Sequence, residues 1–159
     1  SSEETSSVQY IERTRLFYEA QGFTAAYQYA QNKTTPFQPL SKPLAESRVG
    51  LITTASQYFR EDLEPRKVDY GMSQAIPEKL FTDDLSWDKE ATHTDDVNSF
   101  CPIETLNELQ NERMIESIGK RFVCAPTEYS QRATIEQDAP NILAALREDQ
   151  VDVALLVPL

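Results

Sequence analysis

Histidine appears once, cysteine twice and glycine four times in 159 residues, and each scarcity removes a class of protein. With so little glycine there is no Gly-x-Gly-x-x-Gly turn and no Gly-x-x-x-x-Gly-Lys-Ser/Thr loop. The backbone cradles that hold dinucleotides and nucleoside triphosphates are therefore missing. Cys101 and Cys124 form no Cys-x-x-Cys pair and are too few for a disulfide framework, which predicts a reducing, cytoplasmic setting. Positive charge is short as well. Fifteen Lys and Arg against 26 Asp and Glu leave a net charge of −11, so nothing neutralises a polyanion and nucleic acid is not an expected partner. No apolar run nears the ~20 residues of a membrane span, and the mean hydropathy is −0.52. The opening Ser1-Ser2-Glu3-Glu4-Thr5 is polar and acidic, unlike a signal peptide.

What is present divides into an N-terminal helical segment with a Pro-rich connector over 1–46 and an α/β domain over 47–159. The apolar spacing of 8–29 predicts helix, with Val8, Ile11, Leu16, Phe17 and Ala20 on one face and Ser6 or Ser7 as N-cap. Gly22 breaks it, and 23–31 reads as a second, aromatic-rich helix. Three prolines make Thr35-Pro36-Phe37-Gln38-Pro39-Leu40-Ser41-Lys42-Pro43-Leu44 an extended connector. Arg48-Val49-Gly50-Leu51-Ile52-Thr53-Thr54-Ala55 reads as a strand buried on both faces. Residues 57–96 lack periodicity and read as a long irregular insertion, the kind that in compact domains is functional or disordered. A short helix starts at Pro102 and runs over 103–109. Phe122-Val123-Cys124-Ala125 is a second strand. A helix over 135–149 buries Ile135, Ile142, Leu143 and Leu146, and Pro140 either marks a late start or kinks it. The chain closes on a buried strand, Val151-Asp152-Val153-Ala154-Leu155-Leu156-Val157-Pro158-Leu159. Strand, helix, strand predicts a three-layer α/β fold, a mostly parallel sheet with flanking helices. That sheet reads as incomplete on its C-terminal side, because the sequence stops where a strand end would open onto a ligand site.

Three segments carry candidate chemistry. Thr92-His93-Thr94-Asp95-Asp96-Val97-Asn98 gathers the single histidine, two carboxylates and a carboxamide. A histidine with an ordinary pKa near ~6.5 shuttles protons at neutral pH, and a neighbouring carboxylate orients it. The same set suits polar contact with a substrate, or plain solvation. Its spacing lacks the signature of a metal centre, so no metal is expected. Ala125-Pro126-Thr127-Glu128-Tyr129-Ser130-Gln131-Arg132 lies between strand and helix, where α/β proteins place ligand contacts and where helix capping also draws hydroxyls. Thr53-Thr54-Ala55-Ser56 ends the first strand, either facing the same crevice or forming an ordinary turn. Cys101 and Cys124 lack an electropositive, accessible setting apart from Lys120 and Arg121 near Cys124, and read as inert. Glu112, Arg113, Glu116 and Lys120 read as a solvated charged face.

Pro39-Leu40-Ser41-Lys42-Pro43-Leu44 followed by Arg48-Val49-Gly50-Leu51-Ile52-Thr53-Thr54 resembles the first-strand segment of the B-type proteins of the glycine, sarcosine, betaine and D-proline reductase family. His93-Thr94-Asp95-Asp96-Val97-Asn98 with Pro102-Ile103 is similar to that family's next block. The stretches from Thr127-Glu128 to Ala139-Pro140 and from Val151-Asp152 to Val157-Pro158 resemble the helix and strand that follow. The likeness runs from about Leu16 onward and rests on the order and spacing of these blocks. It implies reductive C–N cleavage of a small amine or amino-acid-like substrate, through a selenocysteine or cysteine, with electrons from a thiol donor protein.

In the resemblance that nucleophile lies directly after the Val-Pro-like strand end, and so would follow Leu159. It is absent from this sequence, which is therefore expected to be inactive alone, and neither cysteine occupies the matching position. The region around His93 is also shorter than the family's loop. Under the resemblance His93 is an acid or orienting group, Asp95 or Asp96 binds the ammonium group, and Glu128 is a second candidate for that contact. Thr54 and Thr127 hold a substrate carboxylate, with Ser56, Asn98 and Arg132 as further substrate contacts. The alternative is a small-molecule-binding or regulatory module without redox chemistry, or a structural subunit of a larger complex. The bare sheet predicts a homo-oligomer or packing against a further C-terminal segment.

Overall fold

The computed structural model describes residues 10–23, 25, 30–58, 67–83, 85, 88–127 and 130–159, and it divides the chain into two units, Ser1–Phe37 and Gln38–Leu159. In the first unit, helix α1 spans Tyr10–Ala20. Arg15 pairs with both Glu12 and Glu19, one turn away on either side. The helix ends as expected at Gly22, whose φ of 86° is open to glycine. That conformation lets Gly22 N–H donate to Glu19 O (3.0 Å) and Phe23 N–H to Tyr18 O (3.2 Å), a Schellman cap. The Tyr18 ring meets Phe17 and Phe23 edge-on, each at 5.7 Å. Val8 and most of the helix expected over 23–31 lie outside the described residues.

Among the described residues the second unit is built on four strands: β1 Arg48–Thr53, β2 Asp69–Met72, β3 Ser117–Cys124 and β4 Val153–Val157. Their order is β2-β3-β1-β4. β1 is parallel to β3 and to β4, and β2 is antiparallel to β3. The fold is therefore α/β, with a mixed, mostly parallel sheet. Helix α2, Ile103–Asn111, lies on the chain path from β1 to β3. Between β3 and β4 the chain passes through α3 Gln131–Ala133, a π-helical turn Thr134–Asp138, and α4 Ala139–Glu148. β3 lies on one side of β1 and β4 on the other, so right-handed crossovers call for helices on opposite faces. The burial agrees. Ile103 and Leu106 of α2 pack with Val49, Leu51, Phe122 and Cys124 on one face. Leu146 of α4 packs with Val123, Val68 and Ile52 on the other.

Four sequence expectations change. The irregular stretch over 57–96 contains β2, hidden in the sequence because Asp69-Tyr70-Gly71-Met72 has no apolar alternation. Gly71 is there for contact: a Cβ at that position would sit 2.1 Å from the Phe122 ring. β3 begins at Ser117, five residues before the apolar run, through Gly119, Lys120 and Arg121. The α-helical part of 135–149 starts late, at Ala139 behind Asp138, with Pro140 in its first turn. The chain widens into the π turn, Ala139 N–H donating to Thr134 O, just before the proline that lacks an N–H. That extra residue shifts the π turn relative to the α4 face, and Ile135 within it is 71% exposed; in α4 itself Ala145 and Leu146 are buried and Leu143 is 47% exposed. Finally, β4 is not buried. It forms a sheet edge on which Ala154, Leu155 and Leu156 are exposed.

Arg121 ties β3 to the end of α4. Its Nε and Nη2 donate to both carboxylate oxygens of Asp149 at 2.8–3.2 Å, its backbone N–H donates to Asp149 Oδ2 (3.1 Å), and Nη2 also reaches Ala145 O (3.2 Å) and Glu148 (2.8 Å). These bonds hold the guanidinium above its usual value and the Asp149 carboxyl below its own.

Candidate functional site

Ligands of open α/β sheets bind beyond the carboxyl ends of the parallel strands, beside the strand at which the winding reverses. Here that strand is β1. Thr54 follows it directly and accepts a hydrogen bond on Oγ1 from Leu159 N–H (2.8 Å), joining the ends of β1 and β4. Ser56 forms a β-bridge with Phe81, with N···O distances of 3.0 and 2.7 Å, and its Oγ accepts from Tyr58 N–H (3.2 Å). The bridge carries the chain from β1 towards buried Leu80 and Thr82. Thr82 in turn meets Thr94 through their hydroxyls at 2.7 Å, which seats the histidine loop on the same rim.

Within that loop the candidates separate. Asp96 caps the 3-10 turn Val97–Ser99, accepting from Asn98 N–H at 3.0 Å. Asn98 clamps the loop to the first turn of α2: its Nδ2 donates to Thr105 Oγ1 (2.9 Å), and its Oδ1 accepts from Thr105 N–H (3.4 Å). His93 is 74% exposed in its side chain, with Nδ1 3.7 Å from the Asp95 carboxylate. Asp95, Asp96 and Asn98, with Val97, line a concavity of about 280 Å³ that also takes Ile76, Pro77, Glu78, Cys101 and Glu104. Among the described residues its lining carries four carboxylates and no basic residue. His93 is not part of that lining.

The remaining candidates stand apart from this concavity. Thr54 is half-buried at the β1–β4 end and Thr127 is half-buried beyond β3. Ser130 caps α3, its Oγ accepting from Ala133 N–H at 3.3 Å. Arg132 is 82% exposed, with its guanidinium 3.8 Å from Glu136. Glu128 lies outside the described residues. Cys101 and Cys124 are buried, and burial pushes each thiol up to about 12, so both are protonated at neutral pH. Among the described residues no group of three or more His, Cys, Asp and Glu side chains is placed to hold a metal ion. Nor is any described helix long and apolar enough to cross a membrane.

Glu78 and Glu104 are the site residues that sequence reasoning missed. Glu104 was legible as the first turn of a helix beginning at Pro102. Glu78 carries no signal, because it comes from the stretch without periodicity and meets the histidine loop only through the fold. No family model, no curated protein and no solved structure matches this chain.

Proposed function

We propose that this chain is the substrate-binding α/β portion of a B-type protein of the glycine, sarcosine, betaine and D-proline reductase class, and that it holds the ammonium group of a small amine in the acidic concavity. The observation that carries the reading is the lining itself. Asp95, Asp96, Glu78 and Glu104 supply negative charge, Asn98 supplies a carboxamide, and among the described residues no cation lines the concavity. A concavity of about 280 Å³ suits a molecule of amino-acid size. Carboxylates at close quarters lower the free energy of a cation between them, more strongly where walls of low dielectric such as Val97 and Ile76 displace water.

In this reading a selenocysteine or cysteine following Leu159 attacks the carbon that bears nitrogen. The bond from carbon to the chalcogen forms as the C–N bond breaks and the amine leaves with a proton. A thiolate of a donor protein of the cytoplasm then attacks the chalcogen, the carbon departs with a proton, and a second donor thiol displaces the chalcogenol, leaving the donor as a disulfide. His93 stands on the same loop as a proton source for the leaving amine. A second reading has one observation in its favour: both cysteines of this chain are buried and protonated, so its own residues bind without redox chemistry.

Titration calorimetry with glycine, sarcosine, betaine and D-proline tests the binding. At least one amine should bind, and the pair Asp95→Asn with Asp96→Asn should weaken it about tenfold or more, since ~1.4 kcal/mol of lost charge attraction is a factor of ten. Equal affinity in the variant would remove the acidic concavity from the proposal. Reading the gene past the codon for Leu159 separates the two readings. A cysteine or selenocysteine codon followed by proline supports the reductase, and a stop codon leaves the binding module.

A further inference from the structure

A second and larger concavity, of about 570 Å³, opens on the α4 face of the sheet. That volume falls within the range of small-molecule sites, ~300–1,000 Å³. Alternation along the chain puts Val68 and Tyr70 on this face, and Arg121 of β3 brings its guanidinium to 5.4 Å from the Tyr70 ring centroid. The π turn supplies Gln137 and Asp138 to the lining, and α4 supplies Asn141. Ala144 and Ala145 leave room where longer side chains would fill the space. Single π turns next to α-helix recur at functional sites.

The hydrogen-bonding capacity of this lining is uneven. Its carboxylates are engaged: Glu148 accepts from Arg121 Nη2 (2.8 Å), and Asp138, 5% exposed, has a partner of its own. Its donors are not. Arg121 uses Nε, Nη2 and its backbone N–H on the end of α4, which leaves Nη1. Among the described residues, Lys67 Nζ and the side-chain amides of Gln137 and Asn141 make no hydrogen bond or ion pair. A ligand that completes the site therefore brings acceptors. It also brings a single negative charge, because Asp149 and Glu148 already offset Arg121 and Lys67 alone is left uncompensated. A dianion would face two wall carboxylates with one cation to balance it. We propose that this concavity is a second ligand site, which takes a small organic monocarboxylate. Its carboxylate meets Lys67 Nζ and Arg121 Nη1, and its carbon body lies against Val68, Tyr70 and Ala144. The site differs from the acidic concavity in residues and in preferred charge, and this inference is independent of the functional proposal.

Benzoate is a suitable probe, with one carboxylate on an uncharged ring. In nitrogen–proton correlation spectra of the whole chain, millimolar benzoate should shift the Arg121 guanidinium signal and the side-chain amide signals of Gln137 and Asn141, and the shifts should saturate. Benzamide keeps the shape without the charge and should bind about tenfold more weakly or worse. Inorganic phosphate should leave the same signals in place. Lys67→Met removes the uncompensated cation from an exposed position and should weaken benzoate about tenfold. Ala144→Phe, also at an exposed position, fills the concavity and should abolish binding with unchanged circular dichroism. No saturable shift at these residues, benzamide binding as tightly as benzoate, phosphate moving the same signals, or either variant binding benzoate as the natural chain does would overturn the proposal.

Discussion

On the α2 face of the sheet, twelve buried residues among those described form one cluster, from Val49 through Ile103 to Phe122 and Cys124. On the α4 face only Val68, Val123 and Leu146 are buried in the corresponding cluster. The second face makes up the difference by other means. Gly50 and Gly119 lack side chains where the last turn of α4 and the start of β4 come down: a Cβ on Gly50 would sit 2.8 Å from Leu146 and 2.9 Å from Val151. Arg121 then fastens the helix end with charge-assisted bonds. One layer is held by area removed from water, the other by close backbone approach and an ion pair. The contrast teaches that two sides of one sheet can answer differently to the same perturbation.

The sharpest way to break the contrast is in the larger cluster. Phe122 is fully buried, and Phe122→Ala should lower unfolding free energy by about 3–5 kcal/mol, read by urea denaturation. On the opposite face Asp149→Asn keeps the shape and removes the charge, and should cost about 1.5–3 kcal/mol at pH 7. Its pH dependence has a definite sign. A carboxyl depressed on folding adds stability that is present above its unfolded value and lost as pH falls through its folded one. The gap between the natural chain and Asp149→Asn should therefore be full at neutral pH and close below about pH 4, whereas the deficit of Phe122→Ala has no such titration. The smallest effect belongs to the helix ends. Arg113 at the end of α2 carries a φ of 62° within a Schellman cap closed by Met114 N–H on Leu109 O (2.8 Å). Arg113→Gly relieves that conformation and should raise stability by about 0.5–1 kcal/mol in thermal or urea unfolding.

Elements whose pattern is local were legible in the sequence. β1 and α2 follow from an apolar run and from Pro102 ahead of an amphipathic turn. Other features depend on contacts that no window reveals. β2 owes its place to Gly71 lying against Phe122, and β3 extends back through two cations because its outer face is partly solvent and Arg121 finds Asp149. The exposure of Ile135 follows from a π turn, which breaks the spacing on which helical stripes are counted. The site divides in the same way. Asp95, Asp96 and Asn98 were visible as a chemistry-rich loop, yet two of them do structural work, and Glu78 joins them from a segment without pattern.

β1 is the strand on which the sheet is assembled, and its neighbours come from far along the chain. Arg48 meets Ser117 across 69 residues and Asp152 across 104. During synthesis, which proceeds at ~5–20 residues per second, β1 leaves the ribosome well before either neighbour exists. Both of its edges stay open until β3 emerges, and one stays open until β4 does. The fold is therefore a late-closing one, its rate governed by long loop closures rather than local contacts. Until β4 arrives, the apolar stretch from Val49 to Ile52 keeps one unpaired edge in the nascent chain.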